Sequence, residues 1–266
     1  MIEARKSGGV SAEIVKYIAA AAMVLDHIAI ISFGSQYGMP LFILKTLGRI
    51  AMPVFSYFIV EGFYRTKNVN RYMSRMLLFA VISYVPFILM MRGTDINGNW
   101  LLLNQLFSFF FGLLFLDGIH NGGRTSSRII IAVVAAIGIC FCQYGFFGLA
   151  VIIAFDIMHH NKKYGLWAYA AVIFTTGYRM VLSHFSTSYT LEILTQNVLT
   201  FDFFARFCVE FLGYFIPLLM IVNIKESEKR PNKFNKWFFY IFYPLHLAIL
   251  AYIKYNFIMV GMPKMA

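Results

Sequence analysis

Long apolar runs separated by short polar connections dominate the chain. A helix that crosses a bilayer needs about twenty residues. By this criterion, nine apolar segments can be counted in the chain. They cover approximately residues 12–33, 47–64, 74–91, 101–119, 128–142, 145–158, 165–183, 205–223 and 237–256. The pattern predicts an all-α polytopic transmembrane helix bundle of about nine spans. Residues 184–204 are polar and rich in Ser and Thr, so we expect a connection there.

Lys and Arg are concentrated in every second connection, at residues 65–71, 120–128, 159–163 and 225–236. By the positive-inside rule, the N-terminus is cytoplasmic and an odd number of spans leaves the C-terminus outside. The first run lacks a small-x-small cleavage site, so it is expected to be a retained helix. We expect residues 1–266 to form a single integral membrane domain.

Composition agrees with the pattern. Hydrophobic residues make up 60% of the chain and charged residues 13%, whereas soluble domains are roughly half apolar and one quarter charged. The net charge of +11 would suggest nucleic acid in a soluble protein, but basic loops facing an anionic inner leaflet explain it here. The expected location is the plasma membrane, with the lipid bilayer as a partner and without nucleic acid.

Asp26 and His27 interrupt the first apolar run. A carboxylate and an imidazole at membrane depth are costly and usually functional. His27 lies about fifteen residues into the segment, roughly 22 Å along a helix. A neutral imidazole tolerates a low dielectric, so His27 is the candidate general base. Asp26 is expected to pair with Arg49 or to face a neighbouring helix. The alternative is an interhelical hydrogen bond with a purely structural role.

Arg49 opens the second segment, and Pro53, four residues later, is expected to kink the helix there. Arg49 either lines a cavity at the level of His27 or extends to the outer headgroups. Tyr243 and His246 lie three residues apart, on one face of the last segment. Arg49, Tyr243 and His246 are therefore candidates for stabilising an oxyanion in a dry site.

A basic mouth is expected at the cytoplasmic side. Arg71 and Arg75 share a helix face, and with Arg65 and Lys67 they can bind phosphate groups. Ordinary inside-positive charge is the alternative explanation. Glu61 lies four residues before Arg65, a spacing typical of a local ion pair.

Asp156, His159 and His160 resemble a metal-ligand spacing. Lys162 and Lys163 follow directly and disfavour a cation. We therefore expect no metal.

Several stretches together carry a family resemblance: Asp26-His27-Ile28, Gly48-Arg-Ile-Ala-Met-Pro-Val-Phe55, Val60-Glu-Gly-Phe63, Asn104 through Gly112, and Phe242-Tyr-Pro-Leu-His-Leu247. In this order they resemble the TraX family of membrane acetyltransferases, whose namesake acetylates the N-terminus of pilin. The resemblance implies a multi-helix acyltransferase with cytoplasmic acetyl-CoA as donor and a peptide, amine or sugar as acceptor. It also implies that Asn104 contributes to the donor site with Glu61 and the basic residues.

The expected reaction places the donor phosphates at the basic mouth and the thioester near His27. His27 then acts either as general base or as the carrier of the acyl group. Two other functions stay open. A proton-coupled transporter would use Asp26, His27, Glu61 and His246 as a relay, and a binding scaffold would show no turnover.

Overall fold

The computed structural model describes residues 9–33, 39–92, 101–121, 123–186, 201–225 and 233–258. Its helices are α1 Ala12–Phe33, α2 Met39–Gly48, α3 Ala51–Arg65, α4 Val69–Ile82, α5 Tyr84–Arg92, α6 Gln105–Asn121, α7 Thr125–Cys140, α8 Gly145–His160, α9 Lys162–Ser186, α10 Phe201–Val222 and α11 Lys233–Ile253. A π-helical turn, Lys254–Ile258, extends α11. Two short strands, β1 Val10–Ser11 and β2 Ile224–Lys225, pair in parallel.

Three helical stretches in the described residues are long and apolar enough to cross a membrane: Ala12–Ser32, Met39–Arg65 and Trp237–Asn256. A fourth is added if α4 and α5, bent by 43° relative to each other, form one span. Helices α7 and α8 are apolar but shorter. The chain is thus an all-α membrane protein, while nine spans and a cytoplasmic N-terminus stay predictions.

The second apolar segment begins earlier than the sequence indicated. The prediction of a connection before residue 47 was wrong, because α2 already starts at Met39 and covers the apolar residues up to Gly48. The helix is interrupted between α2 and α3, at Arg49 and Ile50. Pro53 lies in the first turn of α3 and has no N–H to donate to the carbonyl of Arg49, four residues earlier, so the interruption lies where Pro53 was expected to place it. The break therefore precedes Pro53, and Arg49 lies inside the span rather than at its outer edge.

The third apolar segment is divided at Ser83. The Ser83 hydroxyl donates to the carbonyl of Phe79 at 2.6 Å, and its N–H donates to the same carbonyl at 2.9 Å. Such a side-chain bond to the preceding turn bends helices. Most of the predicted connection 184–204 lies outside the described residues, which resume at residue 201.

Helices α3, α6 and α8 end together at one end of the bundle, where Tyr64, His120 and His160 are in contact. Helix α1 starts towards this end, since Lys16 lies 4.3 Å from the ring centre of Phe58 in the middle of α3 and interacts electrostatically with Arg65, the last residue of α3. Helix α11 starts beside α1, with the Tyr17 hydroxyl donating to Asn235 at 2.9 Å. This end carries the predicted phosphate-binding residues and is called the basic end below.

The start of α1 is also attached to the end of α10. Val10 pairs with Ile224 and Ser11 with Lys225. A Cβ at Gly9 would lie 2.8 Å from the carbonyl oxygen of Asn223, so only glycine permits the strands to approach this closely.

Candidate active site

His27 of α1 and His246 of α11 form a buried pair. His27 Nδ1 lies 3.0 Å from His246 Nε2, and the residues are 4% and 6% exposed, respectively. The rings are nearly parallel, with an interplanar angle of 13°. The two histidines are 219 positions apart in sequence, so the fold brings together residues that the sequence showed only as separate candidates.

Hydrogen-bond rules fix the tautomers of the pair. His246 Nδ1 lies 2.9 Å from the carbonyl oxygen of Phe242, which can only accept, so Nδ1 of His246 carries the proton. In neutral His246, Nε2 then accepts a hydrogen bond from His27 Nδ1–H. Neutral His27 therefore carries its lone pair on Nε2. This nitrogen is the basic atom that a general base or a nucleophile requires.

Asp26 lies against the end of α2. Its carboxylate is buried, at 6% exposure, and Oδ1 lies 3.9 Å from Nζ of Lys45. A Cβ at Gly48 would lie 2.4 Å from Cβ of Asp26, so α1 and α2 meet at a point where a side chain has no room. Lys45 was not among the predicted site residues, because it follows an apolar stretch that the sequence assigned to a connection.

Arg49 follows this contact point directly. Its guanidinium carbon lies 5.7 Å from the ring centre of Tyr214 in α10, within the range of a cation–π interaction. Its stem packs on Gly213, where a Cβ would lie 3.0 Å from Cβ of Arg49. Arg49 thus lies between α1 and α10, close to Asp26.

Tyr243 connects the histidine pair to the start of α6. Its ring centre lies 5.5 Å from that of His246, and its oxygen accepts a hydrogen bond from the N–H of Gln105 at 3.3 Å. The Gln105 side chain is 7% exposed, and within the described part of the chain neither of its amide atoms has a hydrogen-bond partner. Sequence reasoning missed Gln105, although it follows Asn104 directly.

Asn104 is fully buried near Tyr243, not at the basic end. It donates to the carbonyl of Ala80 at 2.8 Å and accepts from the N–H of Leu106 at 3.0 Å. The whole of α6 separates it from the basic end, about 25 Å for 17 residues. The structure therefore does not group Asn104 with the other predicted donor-binding residues.

The other donor-binding candidates do lie at the basic end. Arg65 and Glu61 form the expected ion pair, with 3.1 Å between Nη2 and Oε2. Lys67 and Arg71 are exposed around the connection from α3 to α4. Arg75 is half-buried, with its guanidinium carbon 6.0 Å from the ring centre of Tyr72.

An apolar groove of about 450 Å³ lies between α1 and α11. Residues from Tyr17 to Leu25 line one side, and Phe238 and Phe242 line the other. Phe242 stacks on His246 with ring centres 5.1 Å apart, so the groove ends beside the histidine pair. Its walls carry no charge, and the residues that line it do not include either histidine.

Comparison with known families identifies the chain. A family model described as TraX protein matches residues 11–254. The chain belongs to the TraX family. This TraX protein is also 26% identical over 250 residues to "Probable fimbrial assembly protein FimC, serogroup H1" of Dichelobacter nodosus, with 90% of this chain and 93% of the relative covered. No solved structure matches it.

The predicted family is thereby confirmed. The matched residues 11–254 include α1 with His27 and α11 with His246, so the whole buried pair of this TraX protein lies inside the family region.

Proposed function

We propose that this TraX protein transfers an acetyl group from cytoplasmic acetyl-CoA to an acceptor at the membrane or its outer side. The acceptor supplies an amine or hydroxyl of a peptide, small amine or sugar. The observation that supports the proposal most directly is the buried hydrogen bond between His27 and His246, at 3.0 Å. It orients His27 and leaves the lone pair on Nε2.

In the proposed step, the acceptor nitrogen or oxygen attacks the thioester carbonyl while His27 Nε2 takes the acceptor proton. The C–S bond then breaks, and CoA leaves as a thiolate that receives the proton from the His27 imidazolium. His246 Nε2 accepts from His27 Nδ1–H throughout, which stabilises the imidazolium. The net result is an acetylated acceptor and free CoA.

Tyr243 is suited to stabilise the oxyanion of this step. Its oxygen already accepts the Gln105 N–H at 3.3 Å, so its own O–H can donate to the developing negative charge. Donors in a dry interior contribute most to such stabilisation. Arg49 is the second candidate, because it borders the contact between Gly48 and Asp26.

The Gln105 amide supports a polar substrate in the same interior. Buried amide groups nearly always have hydrogen-bond partners, and among the described residues this one has none. The amides of the pantetheine arm of the donor are suitable partners. The basic end, with Arg65, Lys67 and Arg71, is the proposed site for the phosphates of the donor.

Distance is compatible with one donor reaching both regions. From Lys233 at the start of α11 to His246 there are thirteen residues, about 20 Å along the helix. An extended thioester arm has to cover that interval. The fimbrial name of the D. nodosus relative supports a peptide amine from a pilus subunit as the acceptor.

The test uses protein purified in detergent. Acetyl-CoA is added with and without candidate peptide amines, free thiol is followed over time, and acetylated peptide is measured by mass spectrometry. We expect thiol release that depends on the acceptor and equals the acetylated product. Lack of saturable CoA binding at about millimolar donor, a weak affinity by any standard, would contradict the proposal.

A proton-coupled transporter is the second candidate. It is favoured by the bend of 43° between α4 and α5, because discontinuous helices form the binding sites of many transporters. Proteoliposomes distinguish the two functions. A transporter moves protons with its substrate and releases no thiol from acetyl-CoA.

A further inference from the structure

Four side chains from three helix ends meet at the basic end. The Tyr64 hydroxyl of α3 donates to Asp156 Oδ1 of α8 at 2.5 Å. The same oxygen lies 3.1 Å from His120 Nε2 of α6 and 2.9 Å from His160 Nε2 of α8. His120 Nε2 lies 3.1 Å from both carboxylate oxygens of Asp156. Two imidazoles, a carboxylate and a phenol thus point their polar atoms at one another.

These distances approach those of a metal-ligand shell. The ligand atoms of His120, Asp156 and His160 all lie within 4.8 Å of one another. A tetrahedral zinc site with bonds of about 2.0–2.1 Å has ligands about 3.3 Å apart. The atoms that contact Tyr64 are 2.5–3.1 Å from its oxygen, so small outward rotations of the side chains make room for an ion.

The helix ends add charge of the right sign. Helices α3, α6 and α8 end at Arg65, Asn121 and His160, and each C-terminus carries a partial negative charge of about half an electron. Three such ends converge on one point and favour a cation, against the single opposing N-terminus of α9, which begins at Lys162. Lys162 and Lys163, which the sequence weighed against a cation, are exposed, where the high dielectric constant of water weakens their effect on the cluster.

We propose that His120, Asp156 and His160 bind one divalent transition-metal ion of the Zn²⁺ type, with the Tyr64 oxygen or a water molecule as fourth ligand. Two imidazoles and one carboxylate form a ligand set that zinc accepts. Ca²⁺ and Mg²⁺ prefer oxygen ligands alone. The proposal replaces His159, the ligand that the sequence suggested, by His120, because His159 Nδ1 contacts Glu61 Oε1 at 3.1 Å instead.

Such an ion would hold the ends of α3, α6 and α8 together. Glu61, Tyr64 and Arg65 are neighbours on the last turn of α3, so the ion would also fix one wall of the basic end. This role does not require acetyl transfer, and the binding test is independent of the proposed reaction.

The experiment measures metal binding by the full-length protein, purified in detergent without a polyhistidine tag. After removal of metal with a chelator, Zn²⁺ is titrated against a competing indicator, and Co²⁺ is used as a probe of coordination geometry. We expect about one equivalent of Zn²⁺ bound per chain, visible absorption typical of tetrahedral Co²⁺, and a rise in apparent Tm with Zn²⁺.

The matched variants are His120→Ala, His160→Ala and His159→Ala. The first two remove a ligand, and we expect affinity to fall by roughly 10- to 100-fold or more. His159→Ala removes an imidazole from the same helix end that stacks on the Tyr64 ring, with ring centres 3.9 Å apart, but is not one of the three proposed protein ligands, and binding is expected to persist. Tyr64→Phe keeps the ring and tests the fourth ligand alone.

Two results would overturn the proposal. The first is no saturable Zn²⁺ binding by the wild-type protein at about 100 μM, a Kd that corresponds to a weak site. The second is an equal loss in His159→Ala and His120→Ala, which indicates a non-specific histidine surface. The Co²⁺ spectrum of the wild-type protein decides the question even if a variant does not fold.

Discussion

The protein contains two histidine centres that differ in their surroundings. His27 and His246 are 4% and 6% exposed and contact each other inside the bundle. His120 and His160 are exposed at the helix ends, where His120 contacts the Asp156 carboxylate and both histidines contact Tyr64. A buried pair of neutral imidazoles disfavours a hydrated cation and can pass a proton, whereas an anionic, open cluster favours a metal ion. The same side chain therefore takes its chemistry from burial and neighbouring charge.

The largest expected effect separates the two centres directly. His27→Ala removes the basic nitrogen and should lower acceptor-dependent thiol release by about 10²–10⁴-fold, while the affinity for Zn²⁺ stays at the wild-type value. Ser56→Ala is the control, because Ser56 is a fully buried polar residue of α3. If His27→Ala turned over at the wild-type rate, the buried centre would not be the reaction centre.

A smaller effect is expected from a pair of variants at His246. Gln places an amide near the position of Nε2, so His246→Gln can still accept from His27, whereas His246→Asn reaches only the position of Nδ1. We expect thiol release to fall by about 10- to 10²-fold in His246→Asn and by less in His246→Gln. Steady-state kinetics of both proteins measure the difference, and the reverse order would exclude the assigned tautomers.

Gly48→Ala tests how tightly the buried centre is packed. The new Cβ would lie 2.4 Å from Cβ of Asp26, and overpacking of this kind costs about 1–3 kcal/mol. The apparent Tm and thiol release should fall, with Zn²⁺ affinity kept. Gly123→Ala is the matched control, since a Cβ there meets nothing within 4 Å. Equal melting temperatures for the two variants would contradict the close contact.

The smallest expected effect concerns the predicted phosphate-binding residues at the basic end. Arg71→Gln removes an exposed charge at the basic end, and KM for acetyl-CoA should rise by about 5-fold with kcat unchanged, because exposed charge pairs are weak. The effect should diminish at high salt. Arg124→Gln, at the start of α7, removes the same charge from another connection. If both variants raise KM alike, general positive charge rather than a phosphate site attracts the donor.

The sequence predicted local features well. The limits of α1 agree with the predicted segment 12–33, since a mainly apolar run of that length, even with Asp26 and His27 inside it, has few other structures available. Asp26, His27 and His246 are buried as their apolar context indicated. The break at Arg49 was expected in the right place, because Pro53 has no N–H to donate to the carbonyl of Arg49, four residues earlier.

Long-range contacts were not predictable from one sequence. The pairing of His27 with His246 depends on α1 and α11 running side by side, which no local pattern reveals. His120 was assigned to the basic connection at residues 120–128 and was not recognised as a possible ligand. Its position beside Asp156 becomes visible only in the structure, because α6 and α8 end at the same level. Asn104 was predicted to bind the donor together with the residues of the basic end, but motif order along a chain does not state which end of a helix a residue occupies, and Asn104 lies at the opposite end of α6.

The short ladder between β1 and β2 has a consequence for the buried pair. By holding Val10 and Ser11 against Ile224 and Lys225, it sets the rotational phase of α1 from its first residue. Removing one residue between Ser11 and Asp26 would turn everything beyond by about 100° and swing the His27 ring away from α11. The two-residue pairing of β1 with β2 thus determines the direction in which the His27 imidazole points, about 22 Å further along α1.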